Sequence, residues 1–452
     1  MENDPRHTAL RILLHWHRAS HTLDHAIHAH SRQLNQLESK DRNFCNALIF
    51  GVLRQRESMD RIIGHFSKNP IQKIKPKPLY LLRIGIYQIV HMDRIPDFAA
   101  IDTAVEIGKK TCGKPTAGFI NAVLRKAATQ HHEIELPDKD RDPAAFIGIE
   151  YSLPLWLAKR WLDRYGFDPT VRLCEQISTI PSITLRTNTL KTDRATLAGQ
   201  LSEEAGHVLP TSFARNGLRF SNPASAISDL TTFQQGWFQI QDEAAQVVTE
   251  FMDPRPGERI LDACAGLGGK TGHIAQLMDN SGSVTALDFA SKKLVQLEQE
   301  ARRLGYTNIR TRAADLTRMT IRDFGTFFDR VLVDAPCTGL GVIQRNPDTK
   351  WKRTIHDITR LCSRQKKILN AAANLVKPGG VLVYAVCSCE PEENEHVIQA
   401  FLSKRKDYTI DREINGNGLS ELMTPDGFIK TYPQTNHMDG FFAARLRRKQ
   451  TP

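Results

Sequence analysis

The sequence predicts a multidomain chain: an all-α N-terminal domain over 1–130, a small α+β connector over 144–235, and an α/β Rossmann-like domain over 236–449. Three observations predict it. A length of 452 residues exceeds one ordinary hydrophobic core and gives a prior of roughly three domains. Apolar residues recur at helical spacing from the start, with no strand alternation before about residue 183. From Arg259 onward, strand and helix patterns alternate, as in a doubly wound sheet.

In the first part, Leu48, Val52, Met59, Ile62, Ile63 and Phe66 trace one helical face, and Leu79, Leu82, Ile86, Ile89 and Val90 a second. Phe119, Ala122 and Val123 trace a third. The polar, proline-bracketed stretch Thr129 to Pro143 reads as a linker. Helices are expected near Pro154–Tyr165 and Pro169–Ser178, then a strand over Ile183–Thr187. Further strands are expected at Arg259–Ala263, Ser283–Asp288, Asn308–Thr311, Phe328–Asp334, Gly380–Cys387 and Phe441–Leu446, with a helix over Ser291–Leu304.

Composition narrows the class. The chain is 40% hydrophobic and 25% charged, as in soluble globular proteins. It has no apolar run of membrane-spanning length and no signal-peptide pattern, so a cytoplasmic protein with no membrane partner is expected. Eight scattered cysteines without Cys-x-x-Cys read as free thiols. The net charge of +11 points to a polyanionic partner, nucleic acid foremost. Residues 1–130 hold 20 Lys/Arg against 11 Asp/Glu and so carry +9 of it.

Ile260 to Thr271 reads as a strand, a glycine-rich turn and a helix start, a place where a ligand meets backbone N–H groups. A P-loop needs glycine where Cys264 stands, and a dinucleotide fingerprint needs glycine where Thr271 stands. The looser loop of S-adenosyl-L-methionine (SAM) methyltransferases remains, giving Cys264, Ala265, Gly266, Leu267, Gly268, Gly269 and Lys270 as cofactor-binding candidates. Asp288, Asp315 and Asp334 each follow or end a strand. Asp288 is placed to accept ribose hydroxyls and Asp315 to accept from an adenine amine. One such aspartate is ordinarily a turn residue. Three above one glycine loop favour an adenosine-type ligand; an NAD-type ligand fits the loop almost as well but leaves two cysteines unexplained.

Those cysteines end two apolar strands, Cys337 in Asp334-Ala335-Pro336-Cys337 and Cys387 in Val386-Cys387-Ser388, ahead of Pro391-Glu392-Glu393-Asn394. On these motifs the chain resembles the RNA 5-methylcytosine methyltransferases of the Nop2/Sun family. Its N-terminal part resembles a NusB-like RNA-binding domain, through Asp41-Arg42-Asn43-Phe44, Gly85-Ile86-Tyr87-Gln88 and Ile120-Asn121-Ala122-Val123-Leu124-Arg125. The resemblance implies a SAM-dependent enzyme acting on carbon 5 of a cytosine. Cys387 would be the nucleophile that adds at carbon 6, Asp334 the group that holds the base, and Cys337 the group that assists release. It also implies 16S rRNA as substrate, before or early in small-subunit assembly, a flipped or unpaired target base, and a monomer. A tRNA substrate, or a non-catalytic RNA-binding antitermination factor, are the alternatives. The family loop usually reads Ala-Pro where Gly266 and Leu267 stand, so this loop is less pre-set by proline.

Two further features have structural readings beside functional ones. Arg345 to Arg353, with Lys350, Trp351 and Lys352, reads as a substrate-RNA loop or as a structural loop with a solvated basic face. Pro391 to Asn394 reads as a helix start. His21, His25 and His28 share a helical face, but the spacing matches no metal motif, and no metal is assigned.

Overall fold

A computed structural model describes residues 4–18, 22–220, 226–413 and 418–450. The chain forms two compact units, one of residues 1–179 with 343–353, the other of 180–342 with 354–452.

The first unit is all helix. Pro5–Arg18, Ser39–Arg54, Arg56–Phe66, Pro76–His91, Asp97–Cys112 and Lys114–Gln130 bury Leu13, Leu48, Val52, Met59, Ile63, Leu82, Ile86 and Val123 in one core. The predicted face of the last helix is shifted: Ala122 is exposed, and Ala117, Ile120, Leu124 and Ala127 join Val123 inside. A bidentate Arg83–Asp60 pair, 2.7 Å in both arms, satisfies the buried charge within this core. Helices Pro143–Glu150, Leu155–Tyr165 and Phe167–Ser178 belong to this unit. The compact division therefore falls inside the 144–235 segment, where helix gives way to strand.

Segment 343–353 also belongs here, and it is not a solvated loop. The Lys350 ammonium donates to the Arg54 carbonyl (3.0 Å), the Trp351 indole to Leu53 (2.6 Å) and the Lys352 ammonium to Trp16 (2.8 Å). Asp348 accepts from the Leu23 amide at 3.0 Å. The aromatic and basic residues that suggested RNA contact thus serve as donors to the helical unit's own carbonyls.

The second unit holds two sheets. β1 (Ile183–Thr187), β2 (Val208–Pro210), β3 (Gly217–Phe220) and β4 (Phe238–Ile240) form an antiparallel sheet in the order β2-β3-β1-β4. β5 (Arg259–Asp262), β6 (Ser283–Asp288), β7 (Ile309–Ala313), β8 (Phe328–Asp334), β9 (Val376–Val386), β10 (Tyr408–Ile410) and β12 (Phe442–Arg448) form the larger sheet, with β11 (Phe428–Lys430) paired to β12. Its order is β10-β12-β9-β8-β5-β6-β7, parallel from β9 through β7 and antiparallel where β12 meets β9. The order reverses between β5 and β8, the switch point above whose carboxyl ends ligands bind in such sheets. Fully buried runs such as Val331-Leu332-Val333 and Leu382-Val383-Tyr384 are what a sheet covered on both faces requires.

Burial lowers the Lys350 ammonium from 10.5 to about 7, with Arg54 adding to it. Between those values the unfolded chain binds a proton that the folded chain does not, so stability rises with pH across the window. In urea unfolding, wild type should gain on Lys350→Met by up to about 1.4 kcal/mol per pH unit between roughly pH 7 and 10. Equal slopes for the two proteins would show that this ammonium is not desolvated.

Candidate active site

Each predicted site residue has a definite place at the carboxyl edge of the large sheet. β5 ends at Asp262, residues 263–268 form the glycine turn, and Gly269–Leu277 is the helix that follows. Gly266 and Gly268 have φ of +56° and +87°, which side chains with a Cβ resist. A Cβ at Gly268 would also strike Leu297, whereas at Gly266 it would meet open space. Asp262 is buried and takes the Thr271 hydroxyl at 2.7 Å; burial pushes its carboxyl up to about 6, that hydrogen bond opposing.

Asp288 closes β6 against the turn. One oxygen accepts the Gly266 amide at 2.9 Å and the other the Ala290 amide at 2.8 Å. The neighbouring Phe289 is 75% exposed and Leu267 is 58% exposed. A carboxylate fixed beside a backbone face that nothing covers, flanked by two exposed apolar groups, is a cradle suited to a ribose and a flat base. Asp315 follows Ala314, whose amide donates to the Asp288 carbonyl at 3.2 Å; its own carboxylate accepts from the Thr317 amide (3.0 Å) and hydroxyl (2.7 Å), capping its turn.

Lys270 links the turn to the thiols. Its ammonium donates to Asp334 at 2.7 Å and lies 4.9 Å from the centre of the Phe441 ring. Burial lowers this group, but the charge and hydrogen bond of Asp334, then Cys387 and Asp262, outweigh burial and hold it above its ordinary value. Cys264 is half-buried in the turn; burial first, then the charges of Asp262, Asp334 and Asp288, raise its thiol, so it stays neutral.

The Cys337 and Cys387 sulfurs are 3.2 Å apart, both free thiols. The register brings them together: β8 and β9 run parallel with Asp334 opposite Ala385, so both chains leave the sheet at one height. The hydrogen bond to Cys387, then burial, then the charges of Cys387 and Glu393, hold the Cys337 thiol well above its ordinary value. Gly341 donates its amide to the Cys387 carbonyl at 3.1 Å, and a Cβ there would collide with Gly440.

Sequence reasoning passed over two groups that set this geometry. Pro391 to Asn394 is not a helix start but a turn, and the helix begins at Glu395. Inside that turn Glu393 is fully buried and accepts from the Thr338 amide (2.9 Å), the Thr338 hydroxyl (2.5 Å), the Ser388 hydroxyl (2.5 Å) and the Gln365 amide (3.0 Å). Burial raises its carboxyl, those hydrogen bonds opposing. Thr338 and Ser388 directly follow Cys337 and Cys387, so one carboxylate pins both cysteine loops. The second is Arg186 on β1, also fully buried, which donates to the Gly269 carbonyl (2.8 Å), Gln276 (3.1 Å), Gln239 (2.7 Å), Tyr306 (3.1 Å) and Gln241. It ties the small sheet to the first residue of the helix after the turn. An arginine inside an otherwise strand-like run was its only signal in the sequence.

Comparison with known proteins gives the family. The sequence matches the family described as 16S rRNA methyltransferase RsmB/F over 249–447. It is 38% identical to the probable ribosomal RNA small subunit methyltransferase B of Bacillus subtilis (strain 168), covering 92% of each chain. The chain belongs to the RsmB/F family. As a family member it is an RNA methyltransferase, and RNA is its partner. It is also 33% identical to the ribosomal RNA small subunit methyltransferase B of Cronobacter sakazakii, again covering 92% of each. Residues 3–129 match the NusB family, and 153–226 a ferredoxin-like domain of the RsmF/B type. The crystal structure of PH0851 shares the fold at a TM-score of 0.83 and 24% identity, covering 99% of each chain. None of the described helices of this family member is long and apolar enough to cross a membrane. His21 lies outside the described residues.

Removing the Glu393 carboxylate strands several buried donors. Glu393→Ala should cost roughly 2–4 kcal/mol in urea unfolding. Loosening the two loops should also slow methyl transfer by about tenfold to a hundredfold. A variant as stable and as active as wild type would remove Glu393 from this role.

Proposed function

We propose that this enzyme transfers a methyl group from SAM to carbon 5 of a cytosine in 16S rRNA. The observation that carries the reading is the contact of two free thiols, 3.2 Å apart, beyond a strand that ends in Asp334. Carbon 5 of cytosine is a weak nucleophile, and addition of a thiolate at carbon 6 makes it enamine-like. The cradle at Gly266 and Asp288 would hold SAM, which supplies an electrophilic methyl when bound. Asp315, if it contacts the adenine, would do so with the lone pairs its own turn leaves over.

Cys387, its proton given up to solvent, is the nucleophile in this reading; Asp334 accepts from the exocyclic amine of the base, and the Lys270 ammonium that holds it offsets the negative charge that addition puts on the ring. Cys337 keeps its proton at the start, because Cys387 beside it raises its thiol. Once the Cys387 sulfur is bonded to carbon 6 its charge is gone, and that restraint on Cys337 goes with it. Cys337 then gives up its proton to solvent more readily, and its thiolate takes the proton from carbon 5. The carbon–sulfur bond breaks and its electron pair returns to Cys387.

We assign the RNA-recognition, connector and catalytic roles to residues 1–130, 144–235 and 236–449, in a cytoplasmic monomer. The substrate in this reading is rRNA before or early in small-subunit assembly, while the nucleotide is still accessible.

Cys387→Ala should abolish methylation and leave no covalent adduct, whereas Cys337→Ala should trap RNA–protein adducts that survive denaturing gels. Identical behaviour of the two would end the division of labour. Asp288→Asn should weaken SAM binding by about tenfold in calorimetry, as expected for a lost charged acceptor. No heat from wild type would instead favour a binding module. Bisulfite mapping of 16S rRNA from cells lacking the protein should show one cytosine newly unprotected, and an unchanged map would exclude that substrate.

A further inference from the structure

Arg11, Leu14, His15 and Arg18 follow one another at i, i+3, i+4 and i+7 along the helix Pro5–Arg18, so they share one face. That face lines a cavity of about 540 Å³, completed by His30 and Lys77. Five of these six residues are basic in type and none is acidic. Among the described residues neither Arg11 nor Arg18 nor Lys77 pairs with a carboxylate; the Lys77 ammonium reaches only the Thr111 carbonyl, at 3.5 Å. Leu14, buried, gives the cavity an apolar floor.

The two histidines add a hydrogen-bonding element. A ring nitrogen of His15 lies 3.3 Å from one of His30, so His30 orients the His15 ring and leaves the outer nitrogen of His15 for another partner, whereas the outer nitrogen of His30 is buried. Burial, Arg11 and His15 hold the His30 imidazole below its ordinary value, which keeps that ring from adding to the repulsion between the arginines. Arg11 and Arg18 are about 10 Å apart along the axis, from seven residues at 1.5 Å each. Two long side chains that start two turns apart on one face can each take a separate anion. That spacing suits a chain of anions.

We propose that this pocket is a clamp for the sugar–phosphate backbone of the substrate RNA, with Arg11 and Arg18 on different phosphates, His15 and Lys77 between them, and His30 behind His15. Two guanidiniums with no internal counter-charge repel one another until an anion arrives, and guanidinium forks match phosphate oxygens. The contacts carry no base identity; they set the position of the strand, as backbone contacts do. The inference rests on RNA being the substrate, and it concerns residues far in sequence from the thiols.

The test is filter binding of the full chain to transcribed, unmodified 16S rRNA, without methyl donor, from about 50 to about 200 mM salt. Each lost phosphate contact should make the log–log salt slope shallower by about 0.7–0.9, so R11Q/R18Q should shift it by roughly twice that. Lys114→Gln removes an exposed charge outside the pocket and should barely move the slope. A shift for R11Q/R18Q no larger than that of Lys114→Gln would overturn the proposal. Arg11 is exposed, so Arg11→Gln alone keeps the test open should the double variant melt early. A parallel arm follows ³¹P line broadening of inorganic phosphate. Broadening lost in the double variant, with the rRNA slope unchanged, would assign the pocket to a free anion and overturn the RNA clamp. Because binding is read without methyl donor, an inactive enzyme that still binds counts against the catalytic reading alone.

Discussion

The parallel pairing of β8 with β9 is the constraint on which the candidate active site depends. Asp334 lies opposite Ala385, and the Ala335 amide donates to the Ala385 carbonyl at 2.8 Å. A slip of one residue in this register would turn every side chain of the strand to the other face. Asp334 and the two thiols would then leave the sheet at different heights. The apolar runs on both strands, buried on both faces, hold that register by packing rather than by any one contact.

Strand register brings two loops to one place, but loops need their own restraint. Glu393 supplies it from the far end of the Cys387 loop, accepting four hydrogen bonds, three of them from the residues just after the cysteines. A buried carboxylate is costly unless each lone pair is used. Here the hydroxyls, the backbone amide and the Gln365 side chain use them. Gly341 adds the second restraint by letting backbone approach where no side chain fits. The sulfur–sulfur contact is thus held from below by the sheet and from the side by one carboxylate.

Lys270 gives the site its electrostatic unity. Its charge is compensated mainly by Asp334, with Cys387 and Asp262 in range, so a single ammonium links the glycine turn, Asp334 and Cys387. The turn itself is steadied from the small sheet by Arg186, whose acceptors are all neutral. That arrangement satisfies the guanidinium with dipoles and leaves its positive charge inside the protein, close to the helix that begins at Gly269.

Local pattern settled much of this protein before any tertiary contact was known. The strands Ser283–Asp288 and Phe328–Asp334 and the helix Ser291–Leu304 follow from apolar periodicity, and the glycine turn from residues that tolerate positive φ. The two cysteine motifs could be singled out because a thiol at a strand end is a local feature; that the two sulfurs meet is not. Tertiary structure decided what no window of sequence contains. Glu393 sits in a motif that reads as a helix start, and only its distance to Thr338, Ser388 and Gln365 shows that it anchors the loops. Lys350, Trp351 and Lys352 have the composition of an RNA contact, yet their donors are spent on carbonyls some three hundred positions earlier in the chain. Charge and aromaticity are properties of residues. Which partner satisfies them depends on long-range packing, and that is fixed only when the chain has folded.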